Sequence, residues 1–241
     1  MTLHKILSLG SFKILMLFFL PLLNACTHTV MPVRKSPQSA ELIRNDPDKA
    51  WYAARLSFNW EQGQVPDWYL GTLIAGEVIA PLLPQYVQQI TCWRVHRRAV
   101  RDQTGHVFSF IFYSSKASAA LIYQQLKENK VLAELQARQR IIKISYDLPA
   151  VGAPSLLADT SDPVWPATMR ASWPYFMMGA SQMWMVQLQN IKDETTEIDA
   201  VEQRYQTIQN KLTEQWQEQG QHALIHHLSA LYAYQPVPMR F

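Results

Sequence analysis

The chain has 241 residues, with 22 Lys and Arg against 19 Asp and Glu, for a formal charge of +3. The only charges in residues 1–25 are Lys5 and Lys13, so the 216 residues that follow them carry 20 against 19, or +1. That balance argues against a general nucleic-acid binder, which needs a clear basic excess. A hydrophobic content of 48% with 17% charged residues fits one sizeable globular domain.

The N-terminus reads as an export signal. Lys5 and Lys13 precede an apolar run from Ile14 to Leu23, too short to span a membrane and carrying Pro21. The run ends in Leu23-Asn24-Ala25-Cys26. This tetrad resembles the lipobox of bacterial lipoproteins, with Asn24 as its less usual occupant. The resemblance implies cleavage before Cys26, acylation of Cys26 and a membrane tether through its acyl chains. With Thr27 after the cysteine it implies the cell envelope, at the periplasmic face of an outer membrane where one exists. Residues 26–40, with Pro32 and Pro37, read as a flexible spacer, and residues 41–241 as a single domain. An acylated Cys26 leaves Cys92 as the other of two cysteines, so no intramolecular disulfide is expected. Cys92 lies among β-formers and reads as a small buried hydrophobe.

The expected fold is α+β: a small, mainly antiparallel sheet with a β-β-α-β core at about 88–148, packed with N-terminal and C-terminal helices. Residues 41–60, with Ala50, Trp51, Ala54, Leu56 and Phe58, read as a first helix. A second, from Pro66-Asp67 to Ala80, is apolar nearly all round and therefore buried. Gln88–Val100 and His106–Tyr113 flank Asp102-Gln103-Thr104-Gly105 and read as a hairpin. Phe108, Phe110 and Phe112 share one face of its second strand. Ser114-Ser115 caps a helical stretch from Lys116 to Arg138 that Asn129 divides. Ile141–Leu148 is a third strand, expected to run parallel to its partner if the two are neighbours. Pro149–Pro166 is a loop. Beyond it the chain is helical, with a stripe of Ile198, Val201, Tyr205, Ile208 and Leu212, an interruption at Gly220, and a short last helix.

Four constellations are candidate sites. Arg94, His96 and Arg98 share one strand face and suit an anion, but a solvated sheet face has the same pattern and is the reading adopted. Trp165, Trp173, Met177 and Trp184 belong to a Trp/Met segment that suits either core or a partner or ligand surface, and core is the reading adopted. Glu218, His222 and His226 recur every four residues and are weak metal candidates. They lack any HExxH pattern, and no metal or other cofactor is expected. Ser181 lacks the closing glycine of a nucleophile elbow, and Asp159 and Asp162 read as turn residues. With no credible catalytic set, the functional expectation is a membrane-tethered envelope lipoprotein that binds a partner, with an envelope protein as the candidate. A lipid-tethered hydrolase or metal-dependent enzyme and a binder of a small apolar ligand are the alternatives.

Overall fold

The computed structural model describes Asp46, residues 48–149 and residues 156–237. The expected signal, Cys26 and the 26–40 spacer lie outside the described residues. The chain forms β1 (Lys49–Phe58), α1 (Trp68–Ile74), β2 (Cys92–Val100), β3 (Gly105–Ser115), α2 (Lys116–Lys127), α3 (Lys130–Ala137) and β4 (Ile141–Asp147). It continues through α4 (Ala167–Asp193), α5 (Val201–Gly220) and α6 (His227–Leu231). A π-turn, Ala75–Ile79, extends α1, and another, Gln221–His226, joins α5 to α6.

The four strands form one antiparallel sheet in the order β2-β3-β1-β4. With a helix between β1 and β2 and helices between β3 and β4, this is the β-α-β-β-α-β arrangement of ferredoxin-like folds. The α+β expectation, its antiparallel sheet and its C-terminal helices are therefore seen. The predicted first helix is a correction: Lys49–Phe58 is a central strand. Its alanines favour a helix locally, but Tyr52, Ala54, Leu56 and Phe58 also alternate at the strand period and are all buried. Pairing with β3 on one side and β4 on the other outweighs local propensity. The same strand corrects the expected neighbours. β3 and β4 run in the same direction, but β1 lies between them, so β4 pairs antiparallel with β1.

The core occupies one face of the sheet. Phe108, Phe110 and Phe112 have no exposed surface and stand beside Leu56, under α1, α2, α4 and α5. Burying each such side chain contributes roughly 1.5–3 kcal/mol. Gly76 shows how closely the helices approach. A Cβ there would lie 2.5 Å from the Tyr205 hydroxyl, and that hydroxyl donates to Glu77 Oε1 at 2.6 Å. Lys192 Nζ stands 2.9 Å from the same carboxylate oxygen, so one acid ties α1 to α4 and α5.

Asn129 divides the helical stretch as expected. Its side chain accepts from the Val131 and Leu132 amides and so starts α3. The 27-residue α4 runs beside edge strand β2, where the Val95 amide donates to Ser181 Oγ at 3.2 Å. Ser181 Oγ itself donates to Met177 O at 2.7 Å. Ser181 is thus a helix-contact residue that satisfies an edge amide, as covered edges require.

Candidate functional site: the open face of the sheet

The face of the sheet opposite the core is covered at one end only. There the 3₁₀ turn Leu157–Thr160 and Tyr175 and Met178 of α4 lie over Cys92, Tyr113 and Trp51. The Trp51 indole donates to Leu157 O at 3.0 Å. Cys92 is fully buried in this small cluster, and burial pushes its thiol up to about 11, as the hydrophobe reading requires. Asp159 accepts from the Leu156 amide and Asp162 from the Val164 amide, the turn roles expected of them.

The other end of this face is open, and strand register dictates what stands there. Across β2, β3, β1 and β4, one row reads Arg94, Ile111, Ala53, Asp147. The next reads His96, Ser109, Arg55, Ser145, and the third reads Arg98, Val107, Ser57, Lys143. These last two rows line a groove of about 450 Å³ that also takes in Gln103, Thr104 and Ile142. Two arginines, a lysine and a histidine line it, and no carboxylate does. Buried Ser109 and Val107 form its floor.

The bases at the two ends are held in place. Asp102 accepts from the Thr104 and Gly105 amides of the β2–β3 turn and pairs with both Nη atoms of Arg98. Those bonds hold the Asp102 carboxyl well below the usual carboxylate range. On the opposite side Arg55 Nε stands 2.7 Å from Asp147 Oδ2. Between them, partial desolvation and the charges of Arg94, Arg55 and Arg98 lower the His96 pKa.

Arg94, His96 and Arg98 do share a face, as expected. Arg94, however, lies under the 3₁₀ turn, where Nη2 donates to Thr160 Oγ1 at 3.0 Å, and it does not line the groove. Arg55 and Lys143 take its place, and sequence reasoning missed both. Arg55 was hidden by the helix reading of its segment. Arg97, one residue out of phase, faces the core. It lies 5.3 Å from the Trp68 ring and 5.2 Å from the Trp184 ring, and donates to Trp68 O and Gln209 Oε1. Arg101 stacks over Trp60 at 3.3 Å and binds the Trp60, Glu61 and Gln64 carbonyls.

The Trp/Met segment divides along α4. Trp184 packs half-buried against the main core, while Met177 is half-buried and Phe176 is exposed. Trp165 and Trp173 meet edge to face at 4.9 Å, and Trp173 lies 5.4 Å from the Phe176 ring. A second groove, between α1 and the α2–α3 junction, is lined by Val78, Leu82, Asn129 and Val131 among others, and neither groove uses the Trp/Met segment. Among the described residues no group of three or more His, Cys, Asp or Glu side chains could hold a metal ion. No described helix is long and apolar enough to cross a membrane.

No family model and no curated protein matches the sequence. Among solved structures, the chain is similar to a crystal structure of TsrL at a TM-score of 0.38 and 16% identity. The match covers 64% of this chain and 37% of TsrL, so the chain spans little over a third of that protein's length.

Proposed function

We propose that the protein is an envelope lipoprotein, tethered through Cys26, whose domain is a non-enzymatic binding module for an anionic ligand. The observation that carries the anion reading is the groove on the open sheet face. Arg55, His96, Arg98 and Lys143 converge over a serine-lined floor with no carboxylate in the lining. Guanidinium groups already oriented by Asp102 and Asp147 donate to phosphate or carboxylate oxygens without first being ordered. The exposed acids at the ends cost the arginines little of their attraction for an added anion, because surface pairs are weak. The tether rests on the lipobox resemblance and holds the groove close to a membrane surface.

His96 supplies the direct test. Its pKa is lowered first by burial and then by the same positive field that would attract the ligand. A bound anion should raise it, measured by the pH titration of its NMR signals with and without inorganic pyrophosphate. Arg98→Glu should abolish both the pKa rise and pyrophosphate binding while leaving the fold intact. A His96 titration indifferent to pyrophosphate and to other phosphate and carboxylate compounds would overturn the anion reading. For the tether, Cys26→Ser should prevent fatty-acid labelling and membrane sedimentation. Retention of both by the variant would refute the lipobox reading.

A further inference from the structure

The outer face of α4 carries an apolar stripe that the rest of the chain does not cover. Met169, Ser172, Phe176, Gly179, Met183 and Val186 follow one another three or four positions apart, the spacing of one helix face. The opposite face buries Pro174, Ser181, Met185 and Leu188. Met169 and Phe176 are each 47% exposed, Met183 38% and Val186 52%. No residue from Ala171 to Ile191 is charged, and Arg170 just before them pairs with Asp159. Gly179 stands at the middle of the stripe. Glycine weakens a helix interior, and a Cβ at this position would meet nothing within 4 Å. Packing within the chain therefore gives no reason for a missing side chain here. The close approach of a second helix does.

We propose that this face is the interface of a homodimer, in which α4 of a second copy crosses α4 antiparallel at Gly179. The stripe is symmetric about the point between Gly179 and Ala180. Phe176 and Met183 stand equally far to either side of it, and so do Trp173 and Val186. A two-fold axis through that point sets Phe176 against the Met183 of the second copy, so the surface matches itself, as an isologous interface requires. The uncharged face brings no like charges together across the axis. A helix that lies on lipid, by contrast, is rich in Lys and Arg beside its apolar face. The area is adequate as well. With Trp165 and Trp173 at its rim, the stripe leaves roughly 500 Å² of apolar surface on each chain. Two copies then bury about 1,000 Å², the size at which a specific interface begins. No residue of the stripe lines either groove, so the dimer is independent of the anion reading.

The test is disulfide trapping of the full-length chain in the cells that express it. Positions 176 and 183 lie about 10 Å apart along one helix, too far for a disulfide within a chain. The double variant Phe176→Cys, Met183→Cys should therefore run as a linked dimer on a non-reducing gel. The parent, whose Cys92 is buried, and each single variant should run as monomers. Gly179→Leu added to the double variant should abolish the link, because its side chain blocks the crossing. That chain should keep the parent's circular dichroism spectrum, since the leucine meets open space within its own chain. No link in the double variant, a link that survives Gly179→Leu, or a link in Phe176→Cys alone would each overturn the proposal. If the stripe lay on lipid instead, no link would form, and the purified parent would bind phospholipid vesicles and lose that binding in Phe176→Asp.

Discussion

The sheet's two faces use basic residues in opposite ways, and single side chains reveal it. On the core side His106 is 3% exposed, set edge to face against Phe58, Trp60 and Trp68, with Nδ1 unpartnered. Burial, and secondarily Arg97, lowers its pKa to about 4. In the unfolded chain it titrates at about 6.5. Between those values the unfolded state binds a proton that the folded state refuses, so stability falls as pH drops from about 6.5 to about 4. The full amplitude is on the order of 3 kcal/mol. His106→Phe should flatten that slope in urea denaturation at pH 4.5 and 7; an unchanged slope would place the acid sensitivity elsewhere. His96 contributes in the same direction and remains in the variant, so the difference isolates His106. Arg97 shows the same economy of charge. With no carboxylate beside it, it relies on two tryptophan faces and two neutral acceptors, and burial lowers its pKa to about 10. Trp184→Ala removes one of those faces and opens a gap at the core, at a cost of about 3–5 kcal/mol. A thermal melt matching the parent would mean that Trp184 serves only the surface.

At the scale of elements, the sequence was legible wherever one period dominated. The β2–β3 hairpin, the division at Asn129, β4 and α5 all follow from alternation, caps or a 3.6-residue stripe, and the structure has each in place. β1 was misread because Ala50, Ala53 and Ala54 fit a helix, and no local residue records that the segment sits between two other strands. That one error also concealed the β1 side of the groove, since Arg55 and Ser57 reach the open face only when the segment is extended. The outward turn of Ile142 was equally hidden: it follows from a register shift opposite Ser57 and Phe58, which leaves it 63% exposed. Long-range capping left no sequence signal either. Ser181 reads as a small residue at a helix contact, and only the packing of α4 on β2 shows its bond to Val95. Ser181→Ala leaves that amide without its partner in a buried setting, at about 1–3 kcal/mol. Hydrogen exchange should then accelerate at Val95 ahead of its β3 partner Phe110. Equal protection in the variant would show that the hydroxyl is dispensable.

For the molecule as a whole, the question is whether β1 to β4 with their helices form a unit to which α4 and α5 are merely added. The packing argues that they do not. Met185, Leu188 and Ile191 of α4 and Tyr205, Ile208 and Leu212 of α5 are all buried in the same cluster as Phe108 and Leu56. At roughly 1.5–3 kcal/mol for each side chain, their removal withdraws about as much as a typical domain's net stability. Polar losses add to this. Glu77, whose burial alone would raise its pKa, is kept below the ordinary value by bonds from Tyr205 and Lys192, and both partners would go. Arg97 would lose Gln209 and Trp184, and Val95 would lose Ser181. A fragment of residues 46–166 should therefore lack a cooperative thermal transition and bind hydrophobic dyes, while residues 46–241 melt in one step. A sharp two-state melt and a dispersed amide spectrum from the shorter fragment would defeat this argument, and would make the sheet unit of four strands and three helices an independent domain carrying the groove by itself.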